Sequence, residues 1–249
     1  MPGRFVMISS REQEVLAHNE RQALLGFTGL TEHELRWVRL EHEPFPALKL
    51  DEWDGIILCG SRFDSSAPEE SKSDWQLEVE AGLRELYGRV LEADFPFLGL
   101  CYGMGTLNTY LGGVVDSTYA EEISAPELTL TDEGQRDPLL TGVAPRFRAY
   151  VGHHEAITEL APGLVTLVSG KQAPIQMIRA GKNVYATQFH PELDQAAIEL
   201  RIDIFSDAGY YPLEERARIE AGVRGVNTRS AHRVLRNFAQ LHQESRHLR

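Results

Sequence analysis

At 249 residues, with 42% hydrophobic and 25% charged side chains, the chain has the make-up of a folded protein with a sizeable core, and not that of a disordered or fibrous one. Its formal charge of −12 argues against nucleic acid and anionic membrane as partners, and no apolar stretch approaches the length that spans a bilayer. Two cysteines, Cys59 and Cys101, imply no disulfide framework, and Met1 to Ser10 lacks the apolar core of a signal peptide, so a reducing, cytoplasmic setting is expected.

In chain order, Arg4 to Ser9 reads as a buried strand. Gln13 to Leu25 has helical apolar spacing at Val15, Leu16, Ala23 and Leu24. Leu35 to Leu40 alternates as a second strand, and Pro44 and Pro46 interrupt regular structure beyond it. Asp54 to Cys59 is a third strand running into Gly60-Ser61-Arg62, and the polar segment Phe63 to Ser73 reads as a surface loop. Trp75 to Ala93 predicts a long helix with Trp75, Val79, Leu83, Leu86 and Val90 on one face. An apolar run from Phe95 then ends at Gly99, just before Cys101. Strands alternating with helices predict a doubly wound α/β fold, with a mostly parallel sheet and helices on both faces.

The second half is richer in strands. Glu127–Thr131, Phe147–Val151, Leu164–Val168, Ile175–Arg179 and Val184–Gln188 each read as one, and Gly181-Lys182-Asn183 predicts a hairpin between the last two. Helices are expected around Gln195–Ala208 and Leu213–Gly222, and over Ser230–Glu244 with Val234, Leu235, Phe238 and Leu241 facing inward. The whole of 1–249 reads as a single domain with a helical C-terminal extension from about 195.

Chemistry concentrates at two places. Leu98-Gly-Leu-Cys-Tyr-Gly103 reads as strand, tight turn and helix with Cys101 at the turn. A nucleophile on such a turn needs small neighbours two residues away on each side, and Gly99 and Gly103 stand there. A helix start also favours a thiolate. Gln188-Phe-His-Pro-Glu192 comes directly after a strand. His190 is placed to take the thiol proton and return it to a leaving amine, and Glu192 to hold the imidazole. The Tyr102 backbone N–H, with that of Gly60 or Ser61, could receive a developing oxyanion. His18, His33 and His42 have polar surroundings, while His232, His242 and His247 fall on a terminal helix expected to be solvated.

The two motifs together resemble the signatures of the class I (triad-type) glutamine amidotransferases, most nearly in the flavour of the glutaminase domain of GMP synthase. Ile56-Ile-Leu-Cys-Gly-Ser61 resembles the family's oxyanion strand, and Gly152-His-His-Glu-Ala-Ile157 the segment bordering its glutamine pocket. The resemblance runs over roughly residues 4 to 194. It implies a flavodoxin-like core with a mixed or antiparallel edge, a Cys101–His190–Glu192 triad, and a substrate pocket at Gly105, His153 and His154. It further implies hydrolysis of L-glutamine through a γ-glutamyl thioester, no metal or organic cofactor, and a synthetase partner that here would be a separate chain or is unknown. The sequence departs from the family at Gly105, where the family has a substrate-holding glutamine, and at Ser61 and Arg62 in the oxyanion strand. Gly105 is therefore expected to leave open space, which turns attention to other γ-glutamyl amines or peptides as substrates. A binding or regulatory module that keeps only the fold is the third alternative.

Overall fold

A computed structural model of the chain describes residues 4–205 and 213–247. The first half runs β1 (Phe5–Ser9), α1 (Glu14–Thr28), β2 (Leu35–Arg39), β3 (Gly55–Leu58), α2 (Asp74–Glu92), β4 (Phe97–Leu100) and α3 (Tyr102–Tyr110). Next come β5 (Val114–Asp116), β6 (Glu121–Ser124), β7 (Glu127–Leu130), α4 (Asp132–Arg136), β8 (Arg146–Arg148), β9 (Val151–His153) and β10 (Ala156–Glu159). The chain closes with β11 (Val165–Ser169), β12 (Met177–Ala180), β13 (Val184–Thr187), α5 (Gln195–Phe205), α6 (Arg216–Val223) and α7 (Arg229–His247). The expected helix end at 206–208 lies outside the described residues.

One nine-stranded sheet has the order β2-β1-β3-β4-β13-β12-β11-β7-β8. β2, β1, β3, β4 and β13 run parallel, and from β12 outward the pairing is antiparallel. The parallel core with an antiparallel edge is what the alternation of elements and the resemblance implied. Alternate residues of the parallel strands feed two separate cores, because successive side chains of a strand point to opposite faces. Phe5, Met7, Ile57 and Leu98 pack with Leu24 of α1 and with Val234, Leu235 and Phe238 of α7. Val6, Ile8, Ile56 and Leu58 pack on the other face with Val79, Leu83 and Leu86 of α2 and with Met104 and Leu107 of α3. The closing helix thus shares a core with the first strand. Among the described residues, no helix is long and apolar enough to cross a membrane.

Three local readings are corrected and one is refined. Val15 is 51% exposed, and α1 buries Leu16, Ala17, Glu20 and Leu24 instead, because the stripe is set by the i, i+4 pair Leu16 and Glu20 rather than by hydrophobicity alone. Phe147 to Val151 is not one strand: β8 joins the large sheet, while β9 pairs with β6, with Ala149 and Tyr150 between them. Phe63 to Ser73 is a surface loop as read, but Phe63 anchors it, buried against Trp75 and Tyr102. His242 is buried beside Phe238 and His232 stacks on Phe27, so α7 turns both rings inward. The His247 side chain lies outside those described.

The register fixes where the site forms. β4 and β13 are neighbours, with Leu100 opposite Thr187, so both end at the same level. Cys101 and Gln188 therefore leave the sheet side by side at the carboxyl edge, where open α/β sheets place ligands.

Candidate active site

Cys101 occupies the N-cap of α3 with φ +50° and ψ −92°, a left-handed backbone that a non-glycine residue adopts only when its surroundings impose it. Its backbone N–H donates to the Thr187 carbonyl at 2.7 Å, which pins the turn to β13. The flanking glycines are steric necessities. A Cβ at Gly99 would lie 3.0 Å from the Gly103 carbonyl carbon, and one at Gly103 would lie 3.2 Å from Leu58 Cδ2. Strand and helix backbones cross here with no room for a side chain. The Tyr102 N–H is the first of α3 and has no acceptor within the helix. Gly60, just past the end of neighbouring β3, lies against the same turn: a Cβ there would meet His190 Cε1 at 3.2 Å and the Cys101 Cβ at 3.5 Å. Ser61 borders the same space, and its hydroxyl accepts from Ser10 Oγ at 3.0 Å.

His190 is brought to Cys101 by backbone pairing. Its N–H donates to the Tyr150 carbonyl at 2.9 Å, and the two residues form an isolated antiparallel bridge. His190 Nδ1 lies 2.7 Å from Glu192 Oε1, and the ring lines one cavity with Cys101. With Nδ1 engaged by the carboxylate, Nε2 is the nitrogen left for the sulfur. Burial alone would disfavour the imidazolium, but the Glu192 carboxylate and the Cys101 sulfur outweigh it and raise the His190 pKa. Burial likewise works against the Glu192 carboxylate, and the His190 charge and hydrogen bond overcome it and hold the carboxyl below its usual range.

The carboxylate is matched from behind. Arg201 on α5 brings Nη2 to 4.0 Å from Glu192 Oε1 and 3.6 Å from Glu20 Oε1, and Arg11 reaches the same Glu20 oxygen at 3.2 Å. All four side chains are buried, so two arginines and two glutamates neutralise one another where a lone charge would not be tolerated. The loop also has a second support: His232 donates through Nδ1 to the Pro191 carbonyl at 2.7 Å. Gln188 presents Nε2 to Cys101 Sγ at 3.7 Å.

Sequence reasoning missed these supports. Arg201 carried a signal, since it shares the buried face of α5 with Ala197, Ile198 and Ile202, a place where only a paired charge belongs. The Glu20 position on α1 carried the same signal.

The remaining expected residues border one cavity on the α3 side, together with Cys101: Gly105, His153 and His154. The His153 ring is satisfied at both nitrogens, by Glu121 Oε2 at 2.9 Å and by the Glu155 carbonyl at 3.0 Å. His154 pairs with Asp64 at 3.6 Å, and this pairing raises its pKa. The expected opening at Gly105 is filled. Glu155 accepts from Ser65 N at 2.7 Å, Ser65 Oγ at 2.6 Å and Ser66 N at 2.8 Å, which clasps the loop after Phe63 over the start of α3. A Cβ at Gly105 would lie 3.0 Å from Ser65 Oγ and 3.5 Å from Glu155 Oε1. Gly105→Gln should therefore expel Ser65. Amide exchange at Ser65 and Ser66 is expected to rise by about tenfold or more, as bonds to a charged acceptor are lost, and the KM for glutamine to rise with it. Unchanged exchange at these two amides would refute the clasp.

Comparison with known proteins bears on the family and the fold. The family model for glutamine amidotransferase class-I matches residues 31–201. The chain is 34% identical over 122 residues to the GMP synthase [glutamine-hydrolyzing] of Legionella pneumophila (strain Corby), covering 45% of this chain and 23% of that protein. It is 32% identical over 143 residues to the GMP synthase [glutamine-hydrolyzing] of Thermosynechococcus vestitus, covering 56% of this chain and 23% of that protein. The chain thus spans about a quarter of the length of these relatives. A glutamine amidotransferase from Thermotoga maritima has the same fold, with a TM-score of 0.75 at 18% identity over 98% of this chain and 99% of that one. A glutamine amidotransferase from Methylobacillus flagellatus gives 0.68 at 14% identity, over 96% and 95% of the two chains.

Proposed function

We propose that this chain, which belongs to the class I glutamine amidotransferase family, hydrolyses the side-chain amide of L-glutamine to glutamate and ammonia. The observation that carries the proposal is Cys101 held at φ +50° on the helix start, with His190 against it and Glu192 2.7 Å behind His190. In this reading Cys101 Sγ attacks the amide carbon. The oxyanion rests on the N–H groups of Tyr102 and of Gly60 or Ser61. His190 protonates the departing nitrogen, the C–N bond breaks, and a γ-glutamyl thioester remains. His190 then takes a proton from water, which attacks the thioester and restores the thiolate. Glu192 holds the imidazole throughout. The matched relatives are glutamine-hydrolysing GMP synthases, which supports glutamine as the amide and a synthetase partner as the receiver of ammonia.

Active-site labelling tests the reading. A glutamine-like chloroketone should alkylate Cys101 and spare Cys59. Cys59 is 1% exposed, and burial, with Glu20 and Glu192 nearby, pushes its thiol well above the usual range. Glutamine should protect Cys101 against the reagent. Mass spectrometry showing equal labelling, or labelling that glutamine does not slow, would remove the nucleophile from the proposal.

A further inference from the structure

A cavity of about 340 Å³ opens between α1 and α7 and shares no lining residue with either space that Cys101 borders. Its wall is Phe27 of α1 with Arg229, His232, Arg233 and Arg236 of α7. The three arginines are four and then three residues apart, which sets them on one face of the helix. No carboxylate lines the space, although the chain holds 37 acidic against 25 basic residues. Other exposed arginines take an acidic partner: Arg62 pairs with Glu12, Arg216 with Glu220 and Arg218 with Glu122. Among the described residues, none of the guanidiniums of Arg229, Arg233 and Arg236 has a hydrogen-bond or ion-pair partner.

These features suit an anion of high charge density. Three guanidiniums surround one small space at the positive end of α7, whose first turn has no acidic residue. Arg233 is held ready without an acceptor: its side chain lies across the Gly142 turn, where a Cβ would meet Nη1 at 2.8 Å. A guanidinium forks onto phosphoryl oxygens in pairs, and linked phosphoryl groups carry the charge that three arginines match. The volume falls in the range of small-molecule sites, and a concave wall favours a small ligand over the surface of an acidic protein.

The same wall reaches the candidate active site. His232 stacks on Phe27 with ring centroids 3.8 Å apart, accepts at Nε2 from Thr228 Oγ1 at 2.9 Å, and donates through Nδ1 to the Pro191 carbonyl. Pro191 joins His190 to Glu192. We propose that the cavity binds a small molecule bearing two or three phosphoryl groups, and that His232 carries its occupancy to the Pro191 turn. The chain thus has a second ligand besides its amide substrate.

Calorimetry on the whole chain tests this with inorganic phosphate, tripolyphosphate, ATP and a hexaglutamate peptide. Tripolyphosphate should bind at least about tenfold tighter than phosphate, and tighter than the peptide. Arg229→Gln and Arg233→Gln should each weaken it by about tenfold or more and leave melting unchanged, because both side chains are exposed and unpaired among the described residues. ATP bound tighter than tripolyphosphate identifies an organic body resting on Phe27 and His232, and equal binding identifies the phosphoryl chain alone. Occupancy should slow amide exchange at Leu193, whose N–H donates to the His190 carbonyl, by about threefold or more. His232→Phe should abolish that slowing while tripolyphosphate still binds. No binding of any phosphate compound, binding that neither arginine variant weakens, or tighter binding of hexaglutamate would overturn the site. Unchanged exchange at Leu193 in the liganded parent would overturn the link to Pro191. None of these readouts needs glutamine turnover, so their failure and that of amide hydrolysis are separate results.

Discussion

Cys101→Ala is expected to reduce glutamine turnover by about four to six orders of magnitude while the protein melts within a few degrees of the parent. The first figure reflects removal of the atom that bonds to substrate, since the remaining groups of a triad act only through the nucleophile. The second reflects how little the thiol touches. Cys101 is partly exposed, and its side chain meets Gln188, at a long 3.7 Å, and His190. Cys101→Gly supplies an internal control. A side chain at φ +50° is strained by about 1–3 kcal/mol, and glycine relieves this. After glycine's own entropic loss, the glycine variant should be about 1 kcal/mol more stable than the alanine one, or about 2–4 °C for a domain of this size. Measurable turnover by the alanine variant would end the covalent mechanism. Equal melting of the two variants would show that the turn is not under strain.

The parallel core was legible in the sequence because each of its residues obeyed a local rule that packing left in force. Phe5 to Ile8 and Ile56 to Leu58 are unbroken apolar runs, as strands covered on both faces must be. The candidate site stood out in the sequence for a similar reason. Gly99, Cys101 and Gly103 lie within five residues, and His190 and Glu192 within three, so their geometry is set by one turn each. What stayed hidden depends on contacts between distant segments. Ala149 and Tyr150 separate two strands only because β9 has β6 to pair with, some thirty residues earlier. The space over Gly105 read as empty, since nothing near it in sequence says that Glu155 will draw Ser65 across it. Arg201 read as an ordinary helix charge until Glu192 and Glu20 were placed beside it.

That buried pairing makes the second large effect. Glu192→Gln keeps the shape of the side chain and removes its charge. Turnover should fall by about two to four orders of magnitude, because an amide neither fixes the imidazole tautomer nor stabilises the imidazolium. Stability should fall as well, by about 3–5 kcal/mol, since Arg201 loses the carboxylate 4.0 Å away. Its other partner, Glu20, is shared with Arg11. The pH dependence has a definite sign. His190 has a raised pKa in the fold, so its contribution to stability is complete below its unfolded value of about 6.5 and is lost as pH rises through the folded one. Glu192 has a lowered pKa, so its contribution is complete above its unfolded value of about 4.3 and is lost as pH falls through the folded one. The stability gap between parent and variant should therefore be widest between about pH 4.3 and 6.5 and narrow on both sides. In the same variant the alkaline limb of the kcat profile should move to lower pH, because His190 no longer keeps its proton against a carboxylate. Adding Arg201→Met removes the stranded cation and should restore most of the stability but none of the turnover. If Glu192→Gln keeps more than about a tenth of kcat, or the alkaline limb stays in place, His190 is not held by Glu192 and the triad reduces to a pair.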